Sequence, residues 1–470
     1  MTTIKTDSRK IKPGDTFVAL RGISSDGHDY IEKAIENGAV KIIAEEGNYS
    51  VETIIVADSR KYLETLLQKE YGHILDQMKI IGVTGTNGKT TSCYLIYQAL
   101  NKLNIPCSYI GTIGYYLDKK VKNLPNTSVD LADLYELLVD SFEKGYKYVA
   151  LEVSSQGLAY GRFNGVNFDI AGFTNLTQDH LDFHHTMQGY SLAKQQLFKQ
   201  LKENGIAVIN GDDHYKDIYL LPNNNNVTYG FNSNDYHVID YVTYSDKTSF
   251  SYFYKENYTV KSDLVGKYNI SNLMLTITIL HQLGIELEKV NSAIPLLQSP
   301  PGRMEKIRYG TNLVIIDYAH TPDAIENIIR SVREFTSGNI YAVFGCTGER
   351  DKTKRPIMTS LVLNNVKSAV ITIDDPHNED PKLIIKDMLA GQKHNNYEVC
   401  LDRGSAIENG LKLLNQNDTL LILGKGHEDV IIIGDKRLPF NDKEKVMKNI
   451  KRFLIVILLV FMLFAHIVDD

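Results

Sequence analysis

Apolar positions in the first 79 residues gather in short runs, "TFVAL", "VKIIAEE" and "TIIVAD", each bounded by polar or glycine residues. Runs of that length, rich in β-branched residues, predict strands. Between them "DYIEKAIENGA" spaces its apolar residues as one helix would, so residues 1–79 read as a small α/β domain with one helical stretch. From 80 to 300 the pattern lengthens. "IIGVTG", "YKYVALEVSS", "DIAGFTNL" and "GIAVIN" are continuous apolar runs separated by helical segments, the signature of a parallel sheet with crossovers. The polar "LPNNNNVTYGFNSNDYHVID" predicts a loop and meander. "SPPGRMEKI" supplies the Pro/Gly punctuation of a domain boundary. Beyond it, "NLVIIDYAH", "NIYAVFGC", "SAVITIDDP" and "DTLLILGKG" predict four more strands with helices between, a doubly wound domain over 301–452. The fold class is α/β in three domains, with no internal repeat.

One strand-to-helix turn carries chemistry. "IIGVTGTNGKTTSCYLIYQAL" runs from an apolar strand through glycines into a helical pattern. Counting back from Gly88-Lys89-Thr90, the common phosphate-loop motif requires glycine at 83, where Val83 stands, with Gly82 and Gly85 on either side. The working parts remain. Glycines bring backbone N–H groups close to a ligand. The helix start turns its free N–H groups and positive dipole end toward the same point. Lys89 offers a charge for phosphate, and Thr90 or Thr91 a hydroxyl for Mg²⁺.

Composition narrows the class. The 470-residue chain is 43% hydrophobic and 23% charged, ordinary for a globular protein, and its net charge of −6 gives no reason to expect a nucleic-acid surface. Four scattered cysteines without a CxxC pair argue against a disulfide framework or zinc site. No signal peptide is apparent in "MTTIKTDSRK". "FLIVILLVFMLFAHIV", 453–468, is apolar except for His466 and follows the basic "KNIKR". It is shorter than the roughly 20 residues that usually span a bilayer. Two readings stand, a membrane-associating tail and an aberrant chain end; a tail that inserts would keep the preceding chain cytoplasmic.

Glu152 ends the run "VALEVSS", and "TNLTQDHLDFHH" supplies Asp179, His180, Asp182, His184 and His185. Carboxylate and imidazole near a phosphate loop suit a divalent cation, with Glu152 and His180 the favoured pair. His184 and His185 are adjacent and cannot face the same way. Lys194 lies on a helical pattern with Tyr190, Leu197 and Phe198, and spacing alone does not single it out. "FGCTGERDKTKRP", "TIDDPHNEDP" and "LGKGHE" each end a predicted parallel strand, where ligands of doubly wound sheets bind.

In this order the segments resemble the Mur ligase family, ATP-dependent amide-forming enzymes of peptidoglycan synthesis, and within it the MurE-type branch that adds the third peptide residue. The resemblance covers residues 4 to about 450. "GTNGKTT" is similar to the family's ATP loop (Gly85, Thr86, Asn87, Gly88, Lys89, Thr90, Thr91), which accounts for its glycine spacing. The implied fold is a UDP-sugar domain, an ATPase domain and a Rossmann-like C-terminal domain that closes on them. "TDSR" implicates Ser8 in uridine contact, and "GISSDG" implicates Ile23, Ser24 and Ser25. "NTSVD" resembles a substrate loop, giving Asn126, Thr127 and Ser128, with Val129 where proline is usual. Asn87 is implied on the same substrate. "EVSSQGLAYGR" gives Ser154 and Arg162, with Tyr160 where glutamine is typical. Lys194 matches the family's carbamylated lysine, whose anionic carbamate joins Thr90, Glu152 and His180 around Mg²⁺. Asn272 in "GKYNISN" and Asp317, Tyr318 and His320 in "DYAHTPD" match nucleotide-facing positions.

The implied mechanism is phosphorylation of the D-glutamate side-chain carboxylate of UDP-MurNAc-L-Ala-D-Glu by ATP. An amino acid's amine then attacks the acyl phosphate. Catalysis falls to Lys89, Glu152, His180 and Lys194. Family members that add meso-diaminopimelate read "DNPR" at the selector, and those that add lysine commonly "DNPA". This chain reads Asp374, Asp375, Pro376, His377, with Arg350, Gly424 and Glu428 matching other amino-acid contacts. A neutral imidazole clamps a carboxylate less well than a bidentate arginine, so the selector leans away from diaminopimelate and leaves L-lysine or another amino acid open. The expected partners are small molecules and no nucleic acid, with membrane association through 453–468 left open, and the expected state is a monomer. A folylpolyglutamate-type or other superfamily ligase, or a non-catalytic nucleotide-binding paralogue, is the alternative.

Overall fold

The computed structural model describes residues 3–22, 25–222 and 225–451. The chain divides into two compact units. One comprises Met1–Asn175, Ser191–His237 and Met274–Leu296; the other comprises Leu176–Tyr190, Val238–Leu273 and Leu297–Asp470. The segment 453–468 and the positions Ile23 and Ser24 lie outside the described residues.

In the first unit the N-terminal runs form a four-stranded parallel sheet in chain order: Ile4–Lys5, Thr16–Val18, Lys41–Ala44 and Glu52–Ile55. Phe17, Ile31, Ala34 and Ile42 close its core. The expected helical stretch is a 3₁₀ turn, Gly27–Tyr30, followed by a short helix, Ile31–Glu36. A second helix, Ser59–Leu75, corrects the expectation of one. Asp58 caps its start by accepting from Lys61 N, while Leu63, Leu67 and Leu75 are buried. Charged residues between those leucines hide its periodicity.

The larger sheet of this unit sets the site. Its parallel strands run in the order Asn226–Gly230, Leu201–Asn210, Phe168–Phe173, Lys79–Thr84, Tyr148–Glu152 and Cys107–Gly111. Lys79–Thr84 is first in sequence yet sits between Phe168–Phe173 and Tyr148–Glu152. The strand order therefore reverses at its carboxyl end, the crevice where such sheets bind ligands. Within the stretch predicted as loop and meander, the chain forms the strand Asn226–Gly230. Tyr229 anchors this strand: its buried hydroxyl donates to the Phe173 carbonyl at 3.1 Å.

The second unit holds a six-stranded sheet in the order Glu305–Tyr309, Asn312–Asp317, Thr419–Leu423, Ile340–Cys346, Ser368–Ile373 and Tyr397–Val399. All four strands predicted after residue 301 are present and mutually parallel. Alternate residues serve opposite faces. Ile315 and Leu421 pack with Ile325, Ile329, Met358 and Ile384 from three helices; Val314, Ile316 and Leu420 pack with Ala406, Ile407 and Leu411 from a fourth. Because the strands are parallel, the loops after Asp317, Cys346, Ile373 and Leu423 leave the same edge.

Candidate active site

The first-unit site is built on backbone geometry. Gly85 adopts φ +148 and Gly88 φ +88. A Cβ on Gly85 would lie 1.8 Å from Thr174 Oγ1, so this position requires glycine. The helix Lys89–Lys102 starts directly after Gly88, leaving its first N–H groups pointed at the turn. Two residues that sequence reasoning missed hold the turn open. Asn175 accepts from Thr86 N through its carbonyl at 2.8 Å and from Asn87 N through Oδ1 at 2.9 Å, and Thr174 Oγ1 donates to the Asn87 carbonyl at 2.6 Å. Their only sequence signal is position, since they end the neighbouring strand.

Two ammonium groups converge on one backbone oxygen. Lys89 Nζ donates to the carbonyls of Gly85 and Thr86, each at 2.8 Å, and Lys194 Nζ donates to the same Gly85 carbonyl at 2.7 Å. Lys194 is 1% exposed. Two like charges sharing one acceptor repel each other, and an anion between them relieves that cost. Lys194, which spacing left undistinguished, thus sits at the loop.

Glu152 ends its strand fully buried. Its carboxylate accepts from Thr90 Oγ1 at 2.8 Å, Thr112 N at 2.9 Å, Thr112 Oγ1 at 3.0 Å and the Tyr109 hydroxyl. A Cβ on Gly111 would meet Glu152 Oε1 at 2.3 Å, so glycine leaves the carboxylate its room. Burial first, and then the Glu152 charge, hold the Tyr109 phenol well above its usual range, so it donates at every physiological pH. Carboxylate and threonine hydroxyl are hard oxygen donors, and they fit Mg²⁺.

From Glu152 the network reaches the expected sugar-peptide residues. Thr112 Oγ1 lies 3.0 Å from Thr127 Oγ1, and Ser128 Oγ lies 2.9 Å from Ser154 Oγ. Arg162 donates to the Ser128 carbonyl at 2.7 Å and pairs with Asp130 at 3.0 Å. Ser154 also caps the helix Ser155–Ala159 by accepting from Gly157 N. Thr90, Thr127, Ser128, Glu152, Ser154 and Arg162 therefore form one connected group, with Asn126 exposed beside it. Ser8 is buried and Ser25 exposed, both in the four-stranded part. Lys5 pairs with Glu136, and Lys10 with Asp133 at 2.7 Å, tying that part to the helix Leu131–Glu143.

His180 belongs to the second unit and Glu152 to the first. It adopts φ +53, strained for a residue with a Cβ. Its Nε2 lies 3.4 Å from Asp179, which also accepts from Lys354 Nζ at 3.1 Å and has His320 Nε2 at 3.9 Å. Burial alone would raise the Asp179 carboxyl, but His180, Lys354 and His320 outweigh it and hold it well below the usual carboxylate range. Burial, then the Lys354 ammonium, push the His320 imidazole down to about 4. His184 packs on Tyr190, and His185 is exposed. Asp317 is buried and accepts from Met304 N and Ala319 N at 2.7 and 2.8 Å. The guanidinium of Arg303 lies 4.3 Å over the Tyr318 ring. Asn272 Nδ2 donates to Asn269 Oδ1 at 3.2 Å.

The loops expected to meet the amino acid are built on charge. Lys425, fully buried and unremarked by sequence reasoning, donates to Asp375 Oδ1 at 2.8 Å, Glu428 Oε2 at 2.9 Å and Asp374 Oδ1 at 3.3 Å. Three carboxylates around one ammonium leave the cluster net negative. Burial, resisted by Lys425 and helped by Asp374, pushes Glu428 up to about 7. Gly424, at φ +113, lets Asp374 approach, since a Cβ there would lie 2.7 Å from Asp374 Oδ2. His377 has φ +52, and its backbone is gripped by Ile432 O at 3.1 Å and Gly434 N at 2.7 Å. Pro376 is buried, and Arg350 is exposed beside Glu349, itself at φ +55.

Three family models match the chain: the catalytic domain of the Mur ligase family over residues 1–71, the Mur ligase middle domain over 83–280, and the Mur ligase glutamate ligase domain over 302–426. The UDP-N-acetylmuramoyl-L-alanyl-D-glutamate–2,6-diaminopimelate ligase of Clostridium botulinum is 41% identical over 460 residues, 95% of either chain. The enzyme so named from Fusobacterium nucleatum is 40% identical, covering 96% of this chain and 94% of that one. A solved structure of a diaminopimelate ligase with that name superposes with TM-score 0.66 at 33% identity, covering 96% of this chain and 94% of the other. The MurF ligase of Thermotoga maritima in complex with ADP shares the fold at 22% identity and TM-score 0.69, covering 90% and 93%. A folylpolyglutamate synthase of Mycobacterium tuberculosis shares it at 15% identity and TM-score 0.64, covering 77% of this chain and 91% of its own. A phosphate loop at the switch point of one sheet and charged loops at the carboxyl edge of another define, with these relatives, an ATP-dependent ligase. The chain belongs to the Mur ligase family.

Proposed function

We propose that the ligase adds the third peptide residue to UDP-MurNAc-L-Ala-D-Glu, and that this residue is meso-diaminopimelate. The observation that carries the reading is the near-full-length relatives that bear this activity in their names, at 41% and 40% identity. They weigh against the lean drawn from His377. A second reading, L-lysine, is favoured by Asp375 and His377, which put a carboxylate and an imidazole at the selector.

In this reading the first unit activates and the second delivers the amine. Ser8, Ile23, Ser24, Ser25, Asn126, Thr127, Ser128, Ser154 and Arg162 hold the UDP-sugar dipeptide. The turn from Gly85 to Thr91 and the Lys89 ammonium hold the phosphates of ATP, with Asn272, Asp317 and His320 toward the nucleoside. Thr90, Glu152, His180 and a carbamylated Lys194 would hold Mg²⁺, which would supply positive charge against the transferring phosphoryl group. Lys89 stabilises the same developing charge. The product acyl phosphate is attacked by the amine held near Glu428, and phosphate leaves. We read the domains as 1–79, 80–300 and 301–452, and the enzyme as a cytoplasmic monomer. Among the described residues no helix is long and apolar enough to cross a membrane. Membrane attachment through 453–468 is tested by fractionating the full chain beside one ending at 452.

The test of the function is a product assay. Purified protein with ATP, the UDP-sugar dipeptide and diaminopimelate should release ADP and yield the tripeptide mass. Turnover with folate and glutamate, and none with the dipeptide, would overturn the reading.

A further inference from the structure

Arg403 lies outside every residue set assigned above. It is 1% exposed and stands at the first position of the helix Arg403–Lys412. Both facts run against elementary cost. A cation at a helix N-terminus opposes the helix dipole, and burying a guanidinium is expensive unless its donors are satisfied. Its donors are satisfied in a particular way. Nε and one terminal nitrogen take both oxygens of Asp442, itself fully buried, at 2.8 and 2.7 Å. The guanidinium also donates to the Ile373 carbonyl at 3.3 Å and the Leu423 carbonyl at 3.0 Å.

Those two carbonyls end the strands Ser368–Ile373 and Thr419–Leu423. The next residues are Asp374 and Gly424, where the two loops of the acidic cluster begin. Ile340–Cys346 lies between these strands in the sheet, so no ladder hydrogen bond joins their ends directly. A planar fork held by one carboxylate can bridge both carbonyls at fixed geometry, which a lysine cannot do. Burial pushes the Asp374 carboxyl up, and Arg403 stands with Lys425 among the cations that oppose this.

We propose that Arg403, oriented by Asp442, is a positioning residue for the amino-acid site: it fixes the separation of the loops bearing Asp374–Asp375 and Lys425–Glu428. The assignment of those loops rests on the function proposed above; the clamp itself does not.

The test uses the full chain with Arg403→Lys and with the paired apolar replacement Arg403→Met/Asp442→Leu, which removes both buried charges together and so spares the fold an unpaired one. Both variants should melt cooperatively and raise KM for the amino acid by about tenfold or more, with KM for ATP and for the UDP-sugar dipeptide unchanged. Unchanged KM values for all three substrates, or a parallel rise in all three, overturn the proposal. Hydrogen exchange supplies a readout independent of turnover. Amides of 374–379 and 424–428 should exchange faster in both variants, with those of 85–91 unaffected. Equal exchange in wild type and variants refutes the clamp even if the wild type ligates nothing, whereas absent ligation alone refutes only the function.

Discussion

The phosphate loop and the loops proposed for the amino acid both sit at carboxyl ends of parallel strands, yet they are made by opposite means. Around Gly85 the backbone does the shaping: two glycines at positive φ, a helix start, and Thr174 and Asn175 bracing the turn. Charge is sparse there and concentrated in Lys89 and Lys194. Around Lys425 the backbone also turns through positive φ, at Gly424, Gly426 and His377, but buried charges do most of the shaping: three carboxylates on one ammonium, with Arg403 and Asp442 beneath. Phosphate is the same ligand in every enzyme of this kind, so a fixed cradle of N–H groups serves. Amino acids differ at their far ends, and side-chain charge can be exchanged residue by residue without rebuilding a turn.

The largest effect should come from removing the loop's charge. Lys89→Ala is expected to lower kcat by about 10³-fold, as loss of a group that meets developing charge does. Its circular dichroism and melting temperature should stay near wild type. Near-normal turnover would break the assignment of the loop.

Lys194→Ala should come next. Activity is expected to fall by about 10²-fold and to recover in part with formate or acetate, which can supply the anion that a carbamate would. Full activity without rescue would remove Lys194 from the site and leave its contact with Gly85 structural.

What the sequence made legible follows the same division. Glycine spacing, lysine and threonines of the loop are adjacent in the chain, so their chemistry could be read directly, as could the four core strands of the second unit. Asp179 and Lys354 meet across 175 positions, and Lys425 reaches Asp374 across 51, so no local pattern announces either pair. Thr174 and Asn175 look like any strand end until the sheet order puts them beside the loop. The helix Ser59–Leu75 escaped because its exposed faces carry Arg, Lys and Glu between sparse leucines. The lean away from diaminopimelate rested on His377 alone, whereas the relatives resemble this chain over nearly all its length.

His377→Arg probes the amino-acid loops more gently. A planar two-donor fork should raise kcat/KM for meso-diaminopimelate over L-lysine by roughly ten- to a hundredfold. An unchanged ratio would move recognition to Arg350 or Glu428.

The smallest effect is a pH dependence. Glu428 titrates at about 7, raised by burial, so its carboxylate forms only as pH rises through neutrality. KM for the amino acid should fall between about pH 6 and 8, as the ammonium of the substrate gains that partner. Glu428→Gln should flatten the profile. A profile that persists in this variant would place the titrating group elsewhere.

The division of labour itself is tested most directly by trapping the activated dipeptide. With ATP, the UDP-sugar dipeptide, hydroxylamine and no amino acid, wild type and Glu428→Gln should form the hydroxamate at similar rates, and Lys89→Ala should form none. Loss of hydroxamate in Glu428→Gln as complete as in Lys89→Ala would contradict an activation site made by the first unit's loop and an amine site made by the second unit's charges.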